Sequence, residues 1–199
     1  MISDFQPYLI YGLAWFVFGF FHSFLAGRRL KKFCGAYARL TYNIIAAIQI
    51  VAVLAFGRWA FSDLPPFDRS DWVHWPLTAG HIAAWILFLV VLKTYDLGLL
   101  AGTSQIRAAR SGKVVNDEEA LHLDGYHRFV RHPLYGAAFV ILWTSVTSPY
   151  GLATAVWASL YLLIGAAIEE RRLLRLHGRR YADYRLKTPA FIPWRGRTI

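Results

Sequence analysis

The sequence predicts an all-α integral membrane protein of about five transmembrane helices, with a C-terminal helical hairpin and a cytoplasmic tail. Three observations predict it. Hydrophobic residues make up 56% of the 199 positions and charged residues only 17%, a balance too apolar for an ordinary soluble chain of this length. The apolar residues fall in five runs, most of them long enough to cross a bilayer, the fourth falling short at about fifteen residues, roughly 22 Å of helix. The basic residues, which bring the net charge to +10, gather in the short segments between alternate runs.

The first run, Pro7 to Ala26, ends in Gly27 and the cluster Arg28, Arg29, Lys31, Lys32. Before it stand Asp4 and no basic residue, and no small-residue cleavage site follows, so it reads as a retained helix and not as a removed signal. The second run covers roughly Leu40 to Phe61. Ser62 to Trp75 is a polar loop with Asp63, Pro65, Pro66, Asp68 and Asp71, carrying Trp72 and Trp75 where interfacial aromatics belong. The third run spans about Pro76 to Leu100, and a charged stretch follows to Val130. Two further runs, about Leu134 to Ser148 and Gly151 to Ile168, meet at Ser148-Pro149-Tyr150 and read as a tight helical hairpin.

Residues 1–199 thus read as a single membrane domain. Three N-terminal spans fill 1–100, a cytoplasmic loop 101–132, and the hairpin and tail 133–199. Orientation follows from the basic residues: Arg28, Arg29, Lys31, Lys32 and Arg39 flank one loop, and Arg107, Arg110, Lys113, Arg128 and Arg131 the next cytoplasmic one. Nine more follow the last run, whereas the Ser62 to Trp75 loop holds only Arg69. The positive-inside rule then puts the N-terminus outside and the C-terminus in the cytoplasm.

Composition also excludes. A basic balance in a soluble protein would suggest nucleic acid, but a nucleic-acid module shows a polar basic domain, and here the cations lie between apolar runs. No nucleic-acid partner is expected. One cysteine, Cys34, permits no internal disulfide and no thiolate zinc cluster. His74 and His81 lack carboxylate or thiolate partners in sequence, so no metal is expected either. No Gly-rich strand-to-helix fingerprint or soluble segment long enough for a doubly wound sheet is present.

Chemistry concentrates in the last third. The fourth run starts with Arg131, His132 and Pro133. Proline suits a first helical turn, and a helix N-terminus offers unpaired N–H groups to an anion. Glu169 and Glu170 close the fifth run, where the helix dipole disfavours carboxylates, so function or a cationic partner must account for them. His22, Ser23, Asn43 and Gln49 stand within spans as candidates for interhelical hydrogen bonds.

The stretch Arg131-His132-Pro133-Leu134-Tyr135, then Glu169-Glu170-Arg171-Arg172-Leu173, Gly178-Arg179-Arg180-Tyr181-Ala182-Asp183-Tyr184 and Ile192-Pro193, resembles the isoprenylcysteine carboxyl methyltransferase family in order and spacing. His22-Ser23 with Ala26, and Asp96-Leu97 with Gly102 and Gln105, are similar to that superfamily's bacterial thiol methyltransferase branch. Two positions depart from the pattern: His127 where the family often has Tyr, and Ala167 where an Arg commonly precedes the glutamate pair.

The resemblance implies an enzyme using S-adenosyl-L-methionine, with residues 133–199 as its cofactor half, in a bacterial inner (plasma) membrane. Its acceptor would be a small or lipophilic thiol or an isoprenylcysteine-type carboxylate, and its standing partner the lipid bilayer. The implied cofactor residues are Gln105, His127, Arg131, His132, Pro133, Tyr135, Glu169 and Glu170, with Arg131 and Glu170 also carrying catalysis. Two alternatives share the superfamily: a non-catalytic accessory or transport protein, and a membrane-embedded NADPH-dependent reductase.

Overall fold

The computed structural model describes residues 2–26, 28–113 and 121–195, so 114–120 of the expected cytoplasmic loop and the end of the tail lie outside the described residues. The described residues contain helices and no strand. Four helices are long and apolar enough to cross a membrane, and the shorter apolar helix Pro133–Thr144 stands where the fourth run was expected. The protein is therefore an all-α membrane protein, and its many exposed large apolar side chains, Phe16 and Trp59 among them, are what a lipid-facing surface requires.

In chain order the helices are α1 (Ile2–Leu25), α2 (Arg28–Cys34), α3 (Ala38–Ala60), α4 (Asp71–Leu92), α5 (Leu97–Ala101), α6 (Thr103–Arg110), α7 (Pro133–Thr144), α8 (Pro149–His177) and α9 (Arg179–Lys187). Several boundaries differ from the sequence expectation: α7 ends at Thr144 and not at Ser148, and α8 runs on past Ile168 to His177. Trp72 and Trp75 lie inside the first turns of α4 and not in the preceding loop. The third span also stops at Leu92, well before Leu100, because Asp96 accepts a hydrogen bond from Leu99 N at 2.8 Å and caps a new helix, α5.

The chain forms two compact units, Met1–Pro66 with Tyr95–Glu119 and Ser148–Thr154, and Phe67–Thr94 with Ala120–Thr147 and Ala155–Ile199. In the first, α1 packs on α3 around Tyr11, which is fully buried and meets Trp15 and Phe61 edge-on. Gly57 makes the approach possible, since a Cβ there would run into the rings of Tyr11 and Tyr150. The Tyr11 hydroxyl is bonded to Thr154 Oγ1 at 3.0 Å, and Tyr150 donates to Leu54 O at 3.1 Å. Tyr42 bonds His22 Nε2, and Asn43 donates to Leu100 O at 2.8 Å, so two of the expected intramembrane hydrogen bonds form. Gln49 departs from expectation: its buried Oε1 has no partner.

In the second unit α4 packs along α7. His81 is held between Trp85 Nε1, which donates to its Nε2 at 3.0 Å, and Thr144 Oγ1, 3.0 Å from its Nδ1. Phe67 N donates to Thr147 O at 2.9 Å and fixes the start of the unit to the end of α7. This unit also carries the candidate site.

Candidate functional site

Pro133 opens α7 at its first position, as its fixed φ and missing N–H favour. The two residues before it are not left as loose ends. Arg131 N donates to Pro189 O at 2.8 Å and His132 N to Ala190 O at 2.9 Å, so the segment after α9 runs back across the start of α7 as a strap. Gly136 lets the strap sit close, because a Cβ there would stand 2.9 Å from Phe191 O.

The strap brings polar side chains together in a confined space. Arg131 donates from Nε to Glu170 Oε1 at 2.8 Å, and its Nη2 lies 2.7 Å from the same oxygen. Its Nη1 donates to Arg185 O at 3.1 Å and also to Thr188 O. The pair is largely shielded, with 13% and 14% of the two side chains exposed. His132 is buried beside it, Nε2 3.1 Å from Glu170 Oε1 and Nδ1 3.7 Å from Glu169 Oε2. Its ring stacks on Tyr135 at a centroid distance of 5.4 Å and meets Phe191 at 5.6 Å. Glu169 differs from its neighbour in being half-exposed.

Glu170 thus has cations at both oxygens, with Arg185 Nη1 3.7 Å from Oε2. The expectation that the glutamate pair closes its helix is corrected here: α8 continues to His177, so Glu170 lies well inside the helix, away from its last turn, and the second unit supplies its positive partners. His127 reads the other side of the turn, Nδ1 bonded to Arg131 O at 3.1 Å, with its ring stacked on His122. Burial is the chief cause that holds the His127 pKa below its usual value.

Tyr181 and Tyr184 of α9 are both buried in this unit. Tyr184 donates from its hydroxyl to His127 O at 2.7 Å. Tyr181 is 1% exposed, and its hydroxyl has no hydrogen-bond partner. Burial, with the charge of Glu170 next, pushes that hydroxyl up to about 12. The Gly-x-x-Tyr-x-x-Tyr spacing contained the signal, since residues three apart share a helix face.

The second unit therefore unites His127, Arg131, His132, Pro133, Tyr135, Glu169 and Glu170 from the sequence expectation. Gln105 belongs to the first unit, on α6, where its Nε2 donates to Leu99 O at 3.2 Å and its buried Oε1 has no partner. Among the described residues no cluster of His, Cys, Asp and Glu is arranged to hold a metal ion.

The polar cluster joins the start of one helix to the glutamate pair of the next, the two motifs that carry the sequence's resemblance to the membrane-embedded methyltransferases. Comparison with known proteins narrows it. The chain is 34% identical over 194 residues to a methanethiol S-methyltransferase of Crocosphaera subtropica, covering 91% of this chain and 72% of the relative. It is 28% identical over 191 residues to the Mycobacterium tuberculosis protein of that name, covering 89% and 75%. Methanethiol S-methyltransferase 1 of Bradyrhizobium diazoefficiens is 27% identical over 186 residues, covering 87% of this chain, which spans 62% of that relative's length. No family profile and no solved structure matches the chain. The chain belongs to the methanethiol S-methyltransferase family, within the thiol methyltransferase branch of the superfamily.

Proposed function

We propose that this protein is an S-adenosylmethionine-dependent methyltransferase acting on a small or lipophilic thiol at the cytoplasmic face of a bacterial inner membrane. The observation that carries the reading is the cluster of Arg131, His132, Glu169 and Glu170 under the strap, in a chain whose relatives are named for thiol methylation.

The residues fit such a cofactor, which presents a carboxylate, an amine, a ribose diol and a flat adenine. Glu169 offers an exposed carboxylate, and the stacked rings of His132, Tyr135 and Phe191 offer flat surface. The buried Tyr181 hydroxyl lacks a partner. Arg131, held by Glu170 and two carbonyls through Nε and Nη1, keeps a positive charge at the start of α7 that suits a ligand anion. The cofactor supplies a methyl group already activated on its sulfonium. The protein's part is then to align donor and acceptor and to keep water out.

A thiol with a reference pKa of about 8.5 must lose its proton to react. Glu169, half-exposed and adjacent to His132 Nδ1, gives the proton an outlet toward solvent. Arg131 and Glu170 act by holding the site together, and Gln105 and His127 stand as further candidate cofactor residues.

The test is a thermal-melting assay of the purified protein in detergent with S-adenosylmethionine, its demethylated product, or NADPH, followed by labelled-methyl transfer to a panel of thiols and prenylcysteines. A ligand that binds only the folded protein raises its melting temperature. Stabilisation by the methyl donor and label in a thiol are expected. Stabilisation by NADPH alone would replace this reading with the reductase, and stabilisation by neither with the accessory protein.

A further inference from the structure

The strap and the end of α9 before it carry an apolar surface that none of the described residues of the second unit covers. Leu186 is 75% exposed, Ile192 67% and Trp194 65%, although all three lie outside the helices that cross the membrane. They are held together: Arg195 Nη1 donates to Leu186 O at 3.0 Å, and Trp194 N to Ile192 O at 3.0 Å. Leu186 stands on α9 opposite the buried Tyr181 and Tyr184, by the 3.6-residue period of the helix. Around this trio lie exposed Arg185, Lys187 and Arg195.

Depth identifies the occupant. Glu170 follows Pro149 by 21 residues along the continuous helix α8, about 32 Å at 1.5 Å per residue, which matches a hydrocarbon core of about 30 Å. Glu170 therefore stands at the cytoplasmic boundary of the hydrocarbon. Its partner Arg131 bonds the carbonyls of Arg185 and Thr188, so the tail folds back from the end of α8 to that same depth. Large apolar residues beside a tryptophan, ringed by cations, at the level of the headgroups fit one surface: a bilayer leaflet bearing anionic lipid.

We propose that Leu186, Ile192 and Trp194 insert into the cytoplasmic leaflet while Lys187 and Arg195 bind anionic phospholipid headgroups, making the strap a lipid-docked element. Because the same strap supplies the carbonyls that hold Arg131, bilayer docking steadies the candidate site. That second consequence rests on the function proposed above, whereas the docking does not.

Spin labels separate the two. Leu186→Cys, Ile192→Cys, Trp194→Cys and Lys187→Cys are made singly in a Cys34→Ser chain, labelled, and reconstituted in nanodiscs of phosphatidylcholine with or without phosphatidylglycerol. With the anionic lipid, labels at 186, 192 and 194 should be relaxed several-fold more by oxygen than by a polar nickel chelate, and the label at 187 should show the reverse. Removing phosphatidylglycerol should lower the ratio at all three apolar positions. Labels open to the nickel chelate in both bilayers would overturn the proposal, and would point to a protein partner if they became protected in native membranes. Insertion of equal depth without the anionic lipid would overturn its electrostatic half. Neither readout depends on methyl transfer, so failure of docking and failure of the enzymatic reading remain distinguishable.

Discussion

Arg131 and Glu170 meet at 2.7 Å between Nη2 and Oε1, and the arginine uses its remaining reach to bond the carbonyls of Arg185 and Thr188. One guanidinium therefore links the start of α7, Glu170 of α8 and the strap. A planar fork can do this and a point charge cannot. Arg131→Ala should leave Glu170 without its main partner and loosen the strap at once. Loss of charged hydrogen bonds of roughly 1.5–3 kcal/mol corresponds to about a ten- to hundredfold rise in the dissociation constant for S-adenosylmethionine. Arg131→Lys should recover only part of it. Titration calorimetry on the three proteins checks this, and equal affinities across the set would remove Arg131 from the cofactor site.

The two tail tyrosines should separate stability from binding. Tyr184→Phe deletes a 2.7 Å bond to His127 O and should lower the melting temperature, by the roughly 0.5–1.5 kcal/mol that such a bond contributes. Tyr181→Phe deletes a hydroxyl with no partner and should leave the ligand-free melting temperature unchanged or higher. If Tyr181 serves a ligand, the same substitution should weaken stabilisation by the methyl donor. Melting curves with and without ligand give both answers. A large loss of ligand-free stability in Tyr181→Phe would show that its hydroxyl is satisfied within the fold.

Sequence reasoning named the side chains that the second unit brings together because motif chemistry is local: Arg131, His132, Pro133 and Tyr135 lie on one turn, and Glu169 and Glu170 are adjacent. It reached the apolar helices because hydropathy is a sum over neighbours. It did not reach the strap. The bonds that define it join backbone groups, or Arg131 to the carbonyl of Thr188 57 residues away, and a carbonyl carries no residue signature. The early end of α4 was missed for a related reason, since apolar Leu97 to Leu100 continue the pattern while the Asp96 cap breaks the helix. Gln49 was misread because polarity within a span announces a need for a partner without naming one.

Gly136 tests the strap directly. A methyl group at this position would press on Phe191 O, a backbone atom that cannot rotate away. Gly136→Ala should therefore displace the strap at a cost of about 1–3 kcal/mol, against the small gain alanine normally brings within a helix. Limited proteolysis after Lys187 should accelerate in the variant. An unchanged cleavage rate with a raised melting temperature would mean that the strap yields freely.

Charge placement sets the expected orientation. Cys34 lies on the basic side, at the end of α2, and is a free thiol. In intact cells a membrane-impermeant maleimide should leave it unlabelled, and permeabilisation should expose it. Prompt labelling from outside would invert the topology and put the candidate site on the opposite face.

His127 makes the pH dependence of the fold directional. Burial lowers its pKa in the folded state below the ordinary 6.5, so the folded protein binds fewer protons than the unfolded chain as pH falls. Stability rises with pH wherever the unfolded state holds more protons. The contribution of His127 is accordingly complete above about pH 6.5 and is lost as pH falls through that value toward the depressed one. Its Nδ1 bond to Arg131 O survives protonation, because both ring nitrogens then donate, so the loss comes from burying charge and not from breaking the bond. The melting temperature should drop on acidification from about pH 7.5 to about pH 5.5, and His127→Gln should flatten that drop while leaving the slope above neutrality unchanged. The comparison needs both proteins in the same detergent, since other groups contribute to the wild-type curve and cancel only in the difference. An identical pH profile in the variant would mean that His127 titrates as it does in the unfolded chain.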